Sequence, residues 1–197
     1  MRYLNFAPIL FALPVFIASC ERPSTVEVEE SAGEAESIEE LAKNWTAEAF
    51  VALSGRLTQA INEEGHPAAI QVCSIEADDL LGGVADARGV SIRRVTDRPR
   101  NPANQAGARD LEVMEMIREI IGKGEMPEPV ADDKVVWLPI RVAMPVCLTC
   151  HGDPATDIAP DTLAAIGEHY PLDRATGYSE GDLRGLWRVE FPNPESR

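Results

Sequence analysis

Cysteine, histidine and positive charge are all scarce in this sequence, and each scarcity excludes something. Four cysteines in 197 residues are too few for a disulfide scaffold, so each needs its own explanation. Lysine and arginine number 18 against 33 acids, a formal net charge of −15. A surface of that sign repels phosphate backbones, which excludes nucleic acid as a partner. Its plain role is hydration. The length is that of one domain, and a composition with 45% hydrophobic residues supplies its core.

Long apolar runs are short supply as well. The stretch Leu4–Ile17, inside MRYLNFAPILFALPVFIASC, contains two prolines and is too short to span a bilayer comfortably. Behind Arg2 it has the length and flanks of a secretory signal. Its ending, Ile17-Ala18-Ser19-Cys20, resembles the bacterial lipobox, in which the cysteine is lipidated and becomes the mature N-terminus. Residues 1–19 are therefore read as a lipoprotein signal peptide and Cys20 as the lipidation site. The protein is expected on the periplasmic side of the envelope, held to the membrane by that anchor. Glu21 after the cysteine points to the outer membrane rather than the inner. Residues 20–37 read as an acidic tether, with six glutamates and one arginine from position 21 onward and no aromatic residue. Such a segment buries too little apolar surface to fold alone.

Residues 38–197 are left for one folded domain. Ile38, Leu41, Trp45, Ala49, Leu53, Leu57 and Ile61 recur at steps of three and four, a long amphipathic helix ending near Glu64 at Gly65. Pro67 opens a second helix over 67–81, with Gly82-Gly83 as its stop. Val90–Val95 alternates weakly as a strand. Asp97–Asn104 holds two prolines and two asparagines and is expected to be irregular. Asp110–Ile121 is a third helix. Val135–Met144 and Leu186–Phe191 are strands, the latter with Trp187, Val189 and Phe191 on one face and Arg188 and Glu190 on the other. Helices in front and strands behind predict an α+β domain with a small antiparallel sheet.

One motif carries chemistry. Cys147-Leu148-Thr149-Cys150-His151 is a C-x-x-C-H sequence, the attachment signal of c-type haem. Two thiols at that spacing each add to one vinyl group of a haem lying against the turn, and the next residue aims its imidazole at the iron. A bare C-x-x-C pair also suits a redox disulfide or half a zinc site. Zinc wants a second ligand pair at similar spacing, and the sequence has none. A redox pair belongs near the start of a βαβ unit, whereas this one sits three-quarters of the way along. One covalent haem, through Cys147 and Cys150 with His151 as proximal ligand, is the expectation.

The opposite side of the iron is open to His66, His169, Met114, Met116, Met126, Met144 or Cys73. No methionine follows the motif, which excludes the arrangement of the common small cytochromes c. Four-helix cytochromes with a late motif are disfavoured by the strand-like, proline-containing surroundings. Cys73 shares a helical face with Ala69, Ile70, Ala77 and Leu80 and is the one cysteine without an assigned role. A buried thiol acting as a small hydrophobe is common, but a free thiol in an oxidising compartment is a liability.

Four segments together resemble a known family: Ala69-Ile70-Gln71-Val72-Cys73, Arg100-Asn101-Pro102-Ala103-Asn104, Cys147-Leu148-Thr149-Cys150-His151-Gly152, and Gly177-Tyr178-Ser179-Glu180-Gly181-Asp182-Leu183-Arg184-Gly185. The chain, over roughly residues 45–191, is similar to the single-haem periplasmic domain of PAS-like fold, long described as a domain of unknown function and also found as the sensor region of histidine kinases. The resemblance implies a PAS-like antiparallel sheet behind N-terminal helices, and His151 and Cys73 as the two axial ligands. Arg93, Arg94, Arg98 and Arg100 are the cations near which haem propionates are expected, Arg98 and Arg100 first. A solvated basic patch is the competing reading. No kinase or other output domain follows Phe191. A redox or gas sensor, with NO as a candidate ligand, and an envelope electron carrier with fixed ligands both fit, each with an unnamed redox or signalling partner. Ligation from two sides argues against an enzyme.

The lipobox reading has a direct test. Wild-type mature protein is expected to partition into detergent, and Cys20→Ala to abolish acylation. Wild-type protein recovered without acyl chains overturns it.

Overall fold

The computed structural model describes residues 36–192. The signal sequence, Cys20 and the tether up to residue 35 lie outside the described residues. Three helices open the domain: α1 (Ile38–Glu64), α2 (His66–Ile75) and α3 (Ala77–Arg88). The start of α1 falls where the sequence places it, because the Ser37 hydroxyl accepts the backbone N–H of Glu40 at 3.2 Å, an ordinary N-cap.

The expected single helix over 67–81 is instead two. The break falls at Glu76, whose carboxylate takes two hydrogen bonds from Arg56 of α1, at 2.8 and 2.9 Å. Nor do Gly82 and Gly83 stop a helix, since α3 runs through them to a left-handed Gly89. Each glycine costs a helix about 1 kcal/mol. Leu81, Val84 and Ala85 bury themselves against the sheet, and that burial outweighs the cost.

The sheet has four strands, β1 (Ser91–Val95), β2 (Val130–Asp132), β3 (Val135–Arg141) and β4 (Leu183–Glu190), in the order β1-β4-β3-β2 and all antiparallel. The irregular segment after β1 contains one 3-10 turn, Pro102–Asn104. It leads to α4 (Ala108–Gly122), two residues earlier than the periodicity indicates. β3 stops at Arg141 rather than Met144, because Pro145 begins a short helix, α5 (Pro145–His151). Neither α5, α6 (Pro160–His169) nor β2 is anticipated by the sequence reading. The expected α+β class with an antiparallel sheet is the class observed.

The sheet is covered on both faces. Ile92, Val136, Leu138, Trp187 and Val189 pack against Ala42 and Ala49 of α1 and Leu81, Val84 and Ala85 of α3. Val95, Trp137, Leu183 and Leu186 pack against Val113, Met114 and Ile117 of α4. The alternation in β4 therefore does put Trp187, Val189 and Phe191 together, but Arg188 does not face open water. It reaches Asp110 of α4 at 3.5 Å and Glu190 at 2.8 Å.

Asp110 ties α4 to the sheet. One carboxylate oxygen accepts the Trp137 indole N–H at 2.8 Å, and the other accepts the Gly107 N–H ahead of the helix at 2.9 Å. Asp110→Ala strands a buried indole donor and removes a cap. We expect a loss of about 2–3 kcal/mol in urea unfolding, with the slope unchanged.

Candidate haem site

The functional residues converge where β1 and β4 leave the sheet, beneath α2, α5 and α6. The proline at the start of α5 suits a first turn, where its missing N–H is not needed. One and a half turns of helix then carry Cys147, Cys150 and His151, which turns the thiols and the imidazole inward. Cys150 packs with Cys73 of α2 and with Ile70, Ile158, Ile166 and Tyr170. Cys147 and Leu148 pack with Val142, Ala175 and Tyr178.

The motif ends in a glycine for a steric reason. A Cβ on Gly152 lies 2.5 Å from the Asp157 carboxylate and 2.7 Å from the Leu148 carbonyl. Asp157 occupies that space because it accepts the Asp153 N–H at 2.8 Å, closing the loop after the helix.

His151 is oriented by the segment 173–178. Its Nδ1 lies 2.7 Å from the Ala175 carbonyl, so Nδ1–H donates there and Nε2 keeps its lone pair. The Arg184 Nε at 3.4 Å from the same nitrogen is then a close charge rather than a hydrogen bond, since that nitrogen already carries a proton. The Tyr178 N–H donates to the His151 carbonyl at 3.0 Å, and the Gly177 N–H to the Gly152 carbonyl at 2.7 Å. Tyr178 also meets the imidazole edge-on, with centroids 6.4 Å apart.

Five arginines lie in the surroundings. Arg100 is buried and pairs with Asp173 at 2.9 Å, while its other arm donates to the Cys150 carbonyl at 2.5 Å. Arg98 lies over the Tyr178 ring, 4.2 Å from its centroid, and donates to the carbonyls of Arg174 and Thr176. Both of these first-choice propionate candidates are thus engaged in holding the 173–178 segment. Arg93 donates to the Ala103 carbonyl from the exposed side. Arg94 and Arg184 differ. Arg94 approaches only the exposed Asp78, at 3.8 Å, and its buried Nε has no partner among the described residues. The contacts of the Arg184 guanidinium with Thr96, the Arg98 carbonyl and His151 are all 3.3 Å or longer. Arg184 was visible in the sequence as a cation inside Leu183-Arg184-Gly185-Leu186, an apolar strand entry where charge needs a reason.

The field of these cations falls on both candidate ligands. Burial, then Arg184 and Arg100, hold the His151 imidazole well below its usual pKa, against the opposing Ala175 hydrogen bond. Burial pushes the Cys73 thiol up, with Arg94, Arg100 and Arg184 pulling the other way. Cys150 is pushed up by burial too, and its bond to Thr149 opposes that. His151, Cys73 and Arg184 are surrounded by protein, yet each retains accessible surface. Cys73 packs with Cys150, and Arg184 and Tyr178 approach His151, so these side chains come together at one partly accessible place.

The other candidate ligands are placed elsewhere. Met114 is fully buried under α4 on the far face of the sheet, and Met116, Met126 and Met144 are exposed. His169 closes α6 and lies 3.4 Å from the Ser74 hydroxyl, and His66 opens α2, two turns from Cys73.

A helix-borne C-x-x-C-H motif beside a remote thiol, in an arginine-lined recess at the end of an antiparallel sheet, defines a class of α+β domain. The chain belongs to the Tll0287-like family, whose model matches residues 25–192, the single-haem domain family that the four sequence segments resemble. A solved structure, that of the cyanobacterial heme-protein Tll0287, superposes with a TM-score of 0.58 at 25% identity, covering 80% of this chain and 98% of that one. No curated protein matches the sequence.

The crowding at Gly152 makes a prediction. Gly152→Ala should cost about 1–3 kcal/mol in denaturant unfolding. Asp157→Ala in the same chain should return only part of it, because the Leu148 carbonyl stays in place.

Proposed function

We propose that this protein is a mono-haem c-type cytochrome of the cell envelope that acts as a redox or gas sensor. The observation that carries this reading is the shared setting of Cys73 and His151, a thiol and an imidazole with a free Nε2 in one recess beside the paired thiols of Cys147 and Cys150. The donor set fits a haem: two thiols for the vinyl groups, one nitrogen and one sulfur for the iron, and cations for the propionates. A haem held there supplies a one-electron ferric–ferrous couple.

The protein's own part is to bias that couple. The Ala175 carbonyl fixes the His151 tautomer and ring direction. Burial keeps the imidazole neutral and therefore a ligand. Burial equally favours the protonated form of Cys73, so its thiolate depends on a cation bound to sulfur. A haem iron there would be held by His151 and Cys73, and because thiolate favours ferric iron, Cys73 would hold it less firmly in the ferrous state. Cys73 sits on α2, a separate ten-residue helix set off from α3 by the break at Glu76, so release of the thiol frees an element of its own. A two-state element biased by oxidation state is what a switch requires.

The test is spectroscopic. Haem should stay with the polypeptide through acid-acetone extraction and denaturing electrophoresis. Ferric wild type should give low-spin EPR with the narrow g-spread of thiolate ligation, lost in Cys73→Ala with the thioether links intact. Extractable haem ends the c-type reading, and an unchanged EPR in Cys73→Ala ends the assignment of Cys73. Thiolate ligation in a ferrous protein inert to NO and CO favours the electron carrier instead.

A further inference from the structure

We infer that Arg94, Arg184 and the Tyr178 hydroxyl form the receptor for the haem propionates, a role that sequence reasoning first gives to Arg98 and Arg100. The inference rests on the haem-binding reading above and assigns the residues that complete it.

Two buried polar atoms beside His151 and Cys147 have an unmet hydrogen-bonding need. Buried polar groups in folded proteins are nearly always paired, and an isolated exception asks for a partner that the protein itself does not supply. The described residues contain two such side-chain atoms, Arg94 Nε and the Tyr178 hydroxyl oxygen. Both border this recess. Tyr178 packs with Cys147 and against His151, and Arg94 acts on Cys73 and His151 alike.

Arg184 joins them. Its guanidinium lies 5.4 Å from the Tyr178 ring centroid, it is enclosed by protein, and no carboxylate pairs with it among the described residues. A buried arginine keeps its charge, and no described carboxylate pairs with it, a setting that suits an incoming anion. Arg100, by contrast, already has Asp173 at 2.9 Å. Arg98 has two backbone carbonyls.

The sheet explains why Arg94 and Arg184 face one way. Arg94 pairs with Trp187 across β1 and β4, so it points to the face covered by α1 and α3. The register shift between Ile140 and Arg141, opposite the start of β4, separates Leu183 from the regular alternation and turns Arg184 towards the His151 side. Two cations and one hydroxyl donor match two carboxylates in charge and in donor type.

The experiment uses full-length holoprotein produced with haem attachment. Wild type, Arg94→Gln, Arg94→Lys, Arg184→Lys and Tyr178→Phe are compared by resonance Raman in the propionate bending region and by redox titration. The propionate bands should shift in Arg94→Gln and Tyr178→Phe. Arg94→Lys should return most of the Arg94→Gln shift, which a purely structural arginine does not predict. The midpoint potential should fall in Arg94→Gln, where a cation that disfavours ferric iron is lost. Haem-loaded variants with wild-type propionate bands throughout overturn the inference. Tyr178→Phe removes only an oxygen, so it keeps the test decisive if an arginine variant fails to fold. Wild-type protein without covalent haem refutes the proposed function instead, a separate outcome.

Discussion

The buried pair between Arg100 and Asp173 closes the circuit on which the site depends. Arg100 holds the carbonyl of Cys150 with one arm and Asp173 with the other. Asp173 accepts the Ala175 N–H at 3.2 Å, and the Ala175 carbonyl in turn accepts His151. The end of the motif helix and the segment that aims its histidine are therefore one hydrogen-bonded ring. Losing either member of a buried ion pair leaves an uncompensated charge, at a cost of about 3–5 kcal/mol. Here the same loss also releases the imidazole. Arg98, laid over Tyr178, reinforces the ring from the other side.

This ring accounts for an electrostatic inversion. The chain as a whole is strongly acidic, at −15, yet the recess is surrounded by Arg94, Arg98, Arg100 and Arg184. Arg184, Arg100 and Arg94 sit close enough to depress the basicity of His151, and of the four only Arg100 has a buried carboxylate partner. The excess acid lies on the exterior, where water screens it. The cluster of opposite sign inside is what the proposed propionate receptor requires.

Much of this was legible from residue order. The C-x-x-C-H motif needs no structure to be recognised, the three-and-four spacing from Ile38 to Ile61 marks α1, and the alternation of Trp187, Val189 and Phe191 marks β4. What escaped was set by tertiary contacts. The break at Glu76 answers to Arg56, twenty residues earlier, and the run of α3 through Gly82-Gly83 answers to the sheet beneath it. Helix α5 hid behind a proline that reads as a breaker but stands at a first turn. The roles of the arginines escaped as well, because sequence shows four cations in a row of loops and strands without showing which already have partners.

The strand order has a consequence for how the domain assembles. β4, the last element of the chain, lies between β1 and β3. A chain delivered from its N-terminus offers β1 no partner at all, and β3 only the short β2, until residues 183–190 have arrived. Pairing of β1 with β4, from Val95 with Leu186 outward, closes a loop of at least the ninety residues 96–185, the kind of distant contact that forms late. Segment 173–178, which clamps His151, is among the last to emerge as well. Through that interval the two motif thiols stay in open chain, and the topology encloses them last.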